Sequence, residues 1–74
     1  MKLATTEIDS EQIVHKEKGK KFYFDLCENE RGTYLRIREV SRYGKSGMVI
    51  IPADILLDVI DILEDFRTQV TVAE

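Results

Sequence analysis

Residues 20–40 read KKFYFDLCENERGTYLRIREV, and the alternation within them decides the fold. Successive residues of a strand point to opposite sides. In Lys20–Glu28, Phe22, Phe24 and Leu26 therefore share one face, and Lys21, Tyr23, Asp25 and Cys27 share the other. The stretch ENERG at 28–32 supplies Asn and Gly for a tight connection. The period of two resumes in Thr33–Arg42, with Leu35 and Ile37 on one side and Tyr34, Arg36, Arg38 and Val40 on the other. Together these segments predict a β-hairpin with one aliphatic and aromatic face and one face of tyrosines and arginines.

Outward from the hairpin, Glu7–His15 is weakly apolar and is read as a strand, and KEKGKK at 16–21 as a polar turn in which Gly19 is free to take positive φ. YGKSG at 43–47 is a further turn. MVII at 48–51 is a short apolar strand closed by Pro52, which has no N–H to donate to a ladder. From Ala53 the period changes. Ile55, Leu56, Val59, Ile60, Leu63 and Phe66 recur at steps of three and four, leaving Asp54, Asp58, Asp61, Glu64 and Asp65 off the stripe. This is an amphipathic helix, and Asp54 in its first turn complements the dipole. The tail TQVTVAE either extends the helix or frays.

The predicted order is β-β-β-β-α, an α+β fold with a four-stranded antiparallel sheet and a C-terminal amphipathic helix on one face. Residues 1–6 are expected to be disordered, 7–70 to form the domain and 71–74 a tail. Phe22, Phe24, Leu26, Leu35 and Ile37 should meet the helix stripe. The opposite face, with Tyr23, Tyr34, Arg36 and Arg38, is left to solvent, which an antiparallel sheet tolerates.

Seventy-four residues make one domain, and a chain of this size buries only about 60% of the surface its unfolded form exposes. With a single cysteine, Cys27, no disulfide within one chain is possible. Oligomerisation is the remaining common way to stabilise so small a unit. No apolar run reaches the length of a membrane span, the polar N-terminus lacks the regions of a signal peptide, and a lone thiol suits a reducing compartment, so a cytoplasmic location is expected.

The net charge of −3 argues against a polyanion as partner until its distribution is examined. Between Lys16 and Lys45 lie nine basic residues and five acidic ones, a balance of +4, while the rest of the chain has Lys2 and Arg67 against nine carboxylates, a balance of −7. A polyanion responds to the local field, so the segregation matters more than the sum. Aromatic rings between arginines suit single-stranded nucleic acid, where base stacking contributes about 1–3 kcal/mol per base. The same pattern also suits a solvated face whose Tyr–Arg cross-strand pairs serve the sheet alone.

The segment Lys20–Val40 resembles the signature of the PUR family of purine-rich-element binding proteins. The repeats of that family have an aromatic-rich strand of the form KxYYLDLKEN, then a basic residue and Gly, then an aromatic and LRIR. The match runs through Phe22, Tyr23, Asp25, Leu26, Glu28, Asn29, Arg31, Gly32, Tyr34, Leu35, Arg36, Ile37 and Arg38 and continues more loosely through Ile51-Pro52-Ala53 to Asp65-Phe66. The resemblance implies a single ββββα PUR repeat of the bacterial kind, which intertwines with a second copy as a homodimer and binds single-stranded DNA or RNA. Carried over by position, Asn29, Arg31 and Tyr34 contact the strand, Tyr34 by stacking. Arg36, Arg38, Tyr23 and Lys21 add charge and a ring on the same face. The helix stripe Ile55, Val59, Leu63 and Phe66 is the expected dimer interface. A preference for purine-rich, GGN-like sequences is a further implication.

Two positions depart from the family pattern. Cys27 replaces the usual Lys before Glu-Asn, and Thr33 replaces a frequent basic residue after Gly. Each lost cation removes a phosphate contact and its counterion release, lowering affinity and salt dependence. A protein-interaction or dimerisation module with the same fold is therefore the alternative function, and the Whirly-like single-strand binders are the related alternative for the architecture. Cys27 reads as a small strand residue and His15 as a surface histidine. Asp25 is placed to form ion pairs with Arg36 or Arg38 across the hairpin. No residue pairs a nucleophile with a base, so neither enzymatic activity, cofactor, metal nor small-molecule substrate is expected.

Overall fold

The computed structural model describes residues 5–70. Four strands, β1 (Thr6–His15), β2 (Lys20–Asn29), β3 (Gly32–Ser41) and β4 (Ser46–Pro52), are followed by one helix, α1 (Ala53–Arg67). The strands form a single antiparallel meander in the order β1-β2-β3-β4. The architecture is thus the ββββα arrangement expected from the alternation. Most of the segment expected to be disordered, and the tail 71–74, lie outside the described residues; Thr6 opens β1.

The β2–β3 register sets Tyr23 opposite Arg38, Asp25 opposite Arg36, and Cys27 opposite Tyr34. At the hairpin tip the Asn29 side chain accepts a hydrogen bond from the Arg31 N–H at 2.8 Å. Gly32 takes φ 126°, a conformation that side chains rarely adopt, and so lets the strand resume without strain. In β1 the pairing slips between Glu7 and Asp9, leaving Ile8 as the extra residue of a bulge. The slip puts Glu7 opposite Cys27 and Ser10 opposite Asp25, so an odd- and an even-numbered residue share one face.

Two expectations about the faces are corrected. The helix does not close over the sheet within one chain: α1 packs only against β3 and β4. Leu56 and Val59 are half-buried, whereas Ile55, Ile60, Leu63 and Phe66 remain 42 to 60% exposed. The cause is the direct junction of Pro52 with Ala53, which starts the helix at the β4 edge without a linker to carry it over β1 and β2. Phe22, Phe24, Leu26, Leu35 and Ile37 are consequently only half-buried. Conversely, the face left to solvent in the sequence reading contains the two fully buried residues among those described, Asp25 and Cys27. Arg36, Arg38 and Ser10 on the neighbouring strands close over Asp25 with hydrogen bonds. Over the described residues the molecule is flat, with extents of 50 × 32 × 17 Å, and no aliphatic or aromatic side chain among them is fully buried.

Candidate nucleic-acid interface

The centre of the polar face is organised by Asp25. Its Oδ2 accepts hydrogen bonds from Arg36 Nε at 3.0 Å and Arg38 Nε at 2.8 Å; its Oδ1 accepts one from Ser10 Oγ at 2.6 Å. Arg38 Nη2 lies 3.4 Å from Oδ1. Hydrogen bonds from Arg38 and Ser10 outweigh the desolvation that opposes them and hold the carboxyl at about 2, so it is ionised at neutral pH. The hydrogen bond that Arg36 itself donates to Asp25 raises the Arg36 pKa. Arg38 also lies over the ring of its cross-strand partner Tyr23, 4.5 Å from the centroid, within cation–π range. Arg36 reaches Glu7 at 3.4 Å through the face that the β1 bulge provides. Two carboxylates therefore balance these two arginines. They form a braced, nearly neutral platform instead of two free cations.

At the hairpin end, Asn29, Arg31 and Tyr34 come together in an open groove of about 380 Å³ floored by Ile50 and Pro52. Apolar walls beside a tyrosine ring suit the flat face of a base, and the Asn29 amide N–H groups and the Arg31 guanidinium offer donors at its rim. The local charge is not positive: Glu28 and Glu30 lie in and beside the turn, and Asp54 lines an adjoining groove with Arg31.

The opposite end of the sheet carries the cations. There the β1–β2 turn and the β3–β4 turn are stitched together by Arg42, whose backbone N–H donates to Gly19 O at 2.8 Å and whose Nη2 donates to Lys16 O at 3.2 Å. Gly19 has φ 64°, and a Cβ there would collide with the Arg42 guanidinium. An open groove of about 370 Å³ at this end is lined by Lys16, Lys20, Lys21, Tyr23, Val40 and Arg42, among others.

The seven residues singled out from the sequence thus fall into three zones along one face. Asn29, Arg31 and Tyr34 line the hairpin groove, Arg36 and Arg38 are braced at the centre, and Lys21 and Tyr23 border the basic groove. Cys27 is buried, its Sγ 3.8 Å from the Asp25 carbonyl oxygen. Sequence reasoning missed Ser10 and Glu7, because the one-residue bulge that turns both toward Asp25 has no signal in the β1 alternation. It also missed Arg42, whose role depends on two turns distant in sequence meeting in space.

No curated protein matches the chain significantly. Residues 2–73 match the family described as PurA ssDNA and RNA-binding protein. That match spans nearly the whole sequence, and with the ββββα topology and the tyrosine–arginine face it establishes the lineage. The chain belongs to the PurA family of ssDNA- and RNA-binding proteins.

Proposed function

We propose that this protein binds single-stranded DNA or RNA along the polar sheet face, as a homodimer, with a preference for purine-rich strands. The observation that carries the reading is the hairpin groove. It collects Asn29, Arg31 and Tyr34, donors and a stacking ring, against the apolar floor of Ile50 and Pro52. Tyr34 stacks on a base, Asn29 and Arg31 hold base edge or backbone, and the Tyr23–Arg38 stack continues the surface toward Lys21. The dimer is supported by the exposed stripe Ile55, Leu63 and Phe66 with half-buried Val59, and by the absence of any fully buried aliphatic or aromatic side chain among the described residues. Leaving that much apolar surface in water is unfavourable at about 25 cal/mol per Å². A second copy removes it.

The Asp25 brace favours a second reading, a dimerisation or protein-interaction module with little affinity for nucleic acid, since it withdraws both central arginines from phosphate. A gel shift separates the two, using a GGN-repeat and a mixed-sequence single-stranded oligonucleotide at low and high salt. Retardation at low micromolar protein that weakens with salt is the expected result. A folded dimer that retards neither oligonucleotide in low salt establishes the second reading instead.

A further inference from the structure

We propose that the β3–β4 turn, centred on Tyr43, is a second contact site for a nucleic-acid single strand, at the opposite end of the sheet from the hairpin groove. It rests on the single-strand-binding reading above and extends its footprint. Tyr43 is 81% exposed, more than any other large apolar side chain among the described residues. The turn that presents it is braced. Its N–H donates to Ser41 Oγ at 3.2 Å, Gly44 N–H donates to Ser41 O at 3.1 Å, and Ser41 N–H donates to Lys45 O at 2.9 Å. Gly44 supplies the positive φ, 83°, that the reversal needs. Arg42, the preceding residue, ties the turn to the β1–β2 turn. A ring held this far into solvent by an ordered backbone, with no cation stacked on it among the described residues, is placed for an external π-face.

Charge points to the same class of ligand. Lys16, Lys18, Lys20, Lys21, Arg42 and Lys45 cluster at this end, against Glu17 and Glu39. Only Lys20 has a carboxylate partner there among the described residues, Glu39 at 2.9 Å. The central arginines, by contrast, are spoken for by Asp25 and Glu7. Among the described residues, the largest cluster of cations without a carboxylate partner therefore lies beside Tyr43 and the basic groove, where phosphates release counterions on binding. A stacking ring among cations accepts unpaired bases and excludes a duplex, whose bases already stack on one another. Tyr43 lies nine positions after Tyr34 along the chain. At about 3.3 Å per extended residue the two rings stand roughly 25–30 Å apart, so one strand of about a dozen nucleotides can engage both.

The chain contains no tryptophan, so Tyr43→Trp introduces a single indole whose fluorescence reports stacking at this turn alone. The test titrates the full-length variant with a labelled single strand of about 16 nucleotides and with a blunt duplex of the same sequence, reading anisotropy and indole emission together. The expected result is quenching by the single strand but not by the duplex, with Tyr43→Ala weakening single-strand affinity about fivefold or more and leaving the dimer mass and melting temperature unchanged. An unquenched indole in a chain that still binds, or unchanged affinity in Tyr43→Ala, overturns the second site while leaving the hairpin groove standing. A wild-type chain that binds no single strand overturns both.

Discussion

Asp25 shows how one buried carboxylate changes the meaning of two arginines. A free arginine on a sheet face is a phosphate ligand, but Arg36 and Arg38 both place Nε on the same carboxylate oxygen. Asp25→Asn removes the charge while keeping the shape, and we expect it to lower stability at pH 7 by roughly 1–2 kcal/mol, discounted because both guanidinium groups remain partly open to solvent. The folded pKa is depressed from 3.8 to about 2, so the wild-type advantage is fully present above pH 4 and is lost as pH falls through about 2. Thermal melts of both proteins at equal concentration, at pH 7 and near pH 2.5, check this: the gap in melting temperature narrows in acid. Gly19 gives a second test. Gly19→Ala forces a side chain into a left-handed backbone and against Arg42, and should cost about 1–2 kcal/mol in urea denaturation.

At the scale of the element, one residue of the β2–β3 hairpin is a fold determinant and also a proposed contact to the strand. Asn29 closes the turn through its side-chain oxygen and also faces the groove. Asn29→Ala therefore loses the bond to the Arg31 N–H, about 1 kcal/mol, and weakens single-strand binding as well. Asn29→Asp keeps the acceptor but adds a third carboxylate beside Glu28 and Glu30. It is expected to restore stability and to bind more weakly than Ala. Urea midpoints and oligonucleotide anisotropy on the same three proteins separate the two roles, and equal binding by the Ala and Asp variants would contradict this assignment. The helix is the element whose burial the single chain leaves unfinished, since its Leu56 and Val59 are half-buried while Leu63 and Phe66 stay exposed.

For the whole molecule, assembly and charge are the quantities that follow. With only Asp25 and Cys27 fully buried among the described residues, an isolated 8.6 kDa chain lacks the apolar core that cooperative folding needs. On the proposed dimer, Leu63→Asp or Phe66→Asp should abolish a native mass of twice the chain and with it the sharp thermal transition, measured by native mass spectrometry and circular dichroism. A variant that stays cooperative as a monomer would place the stripe elsewhere in the assembly. The five basic-end cations without a carboxylate partner among the described residues are expected to set the salt response. With a single strand contributing about −0.7 per neutralised phosphate, the slope of log K against log salt should fall between about −2 and −4 per chain.

The order of strands and helix, which residues share each face of the hairpin, and the family were legible in the sequence. They depend on local period and on a contiguous motif, and neighbouring residues suffice to express both. Three things were decided only in three dimensions. The β1 bulge brings Glu7 and Ser10 onto one face, which an alternation pattern cannot anticipate because a one-residue slip reverses parity. The linkerless junction at Pro52 keeps the helix at the β3–β4 edge and leaves apolar surface that composition alone would have assigned to a core. Arg42 meets Gly19 and Lys16 across 23 and 26 residues of chain, gathering at one end of the sheet the charge that the sequence spreads from Lys16 to Lys45. Sequence patterns act over a few residues, whereas electrostatics and burial act through space, and it is through space that this fold separates its hairpin groove from its cations.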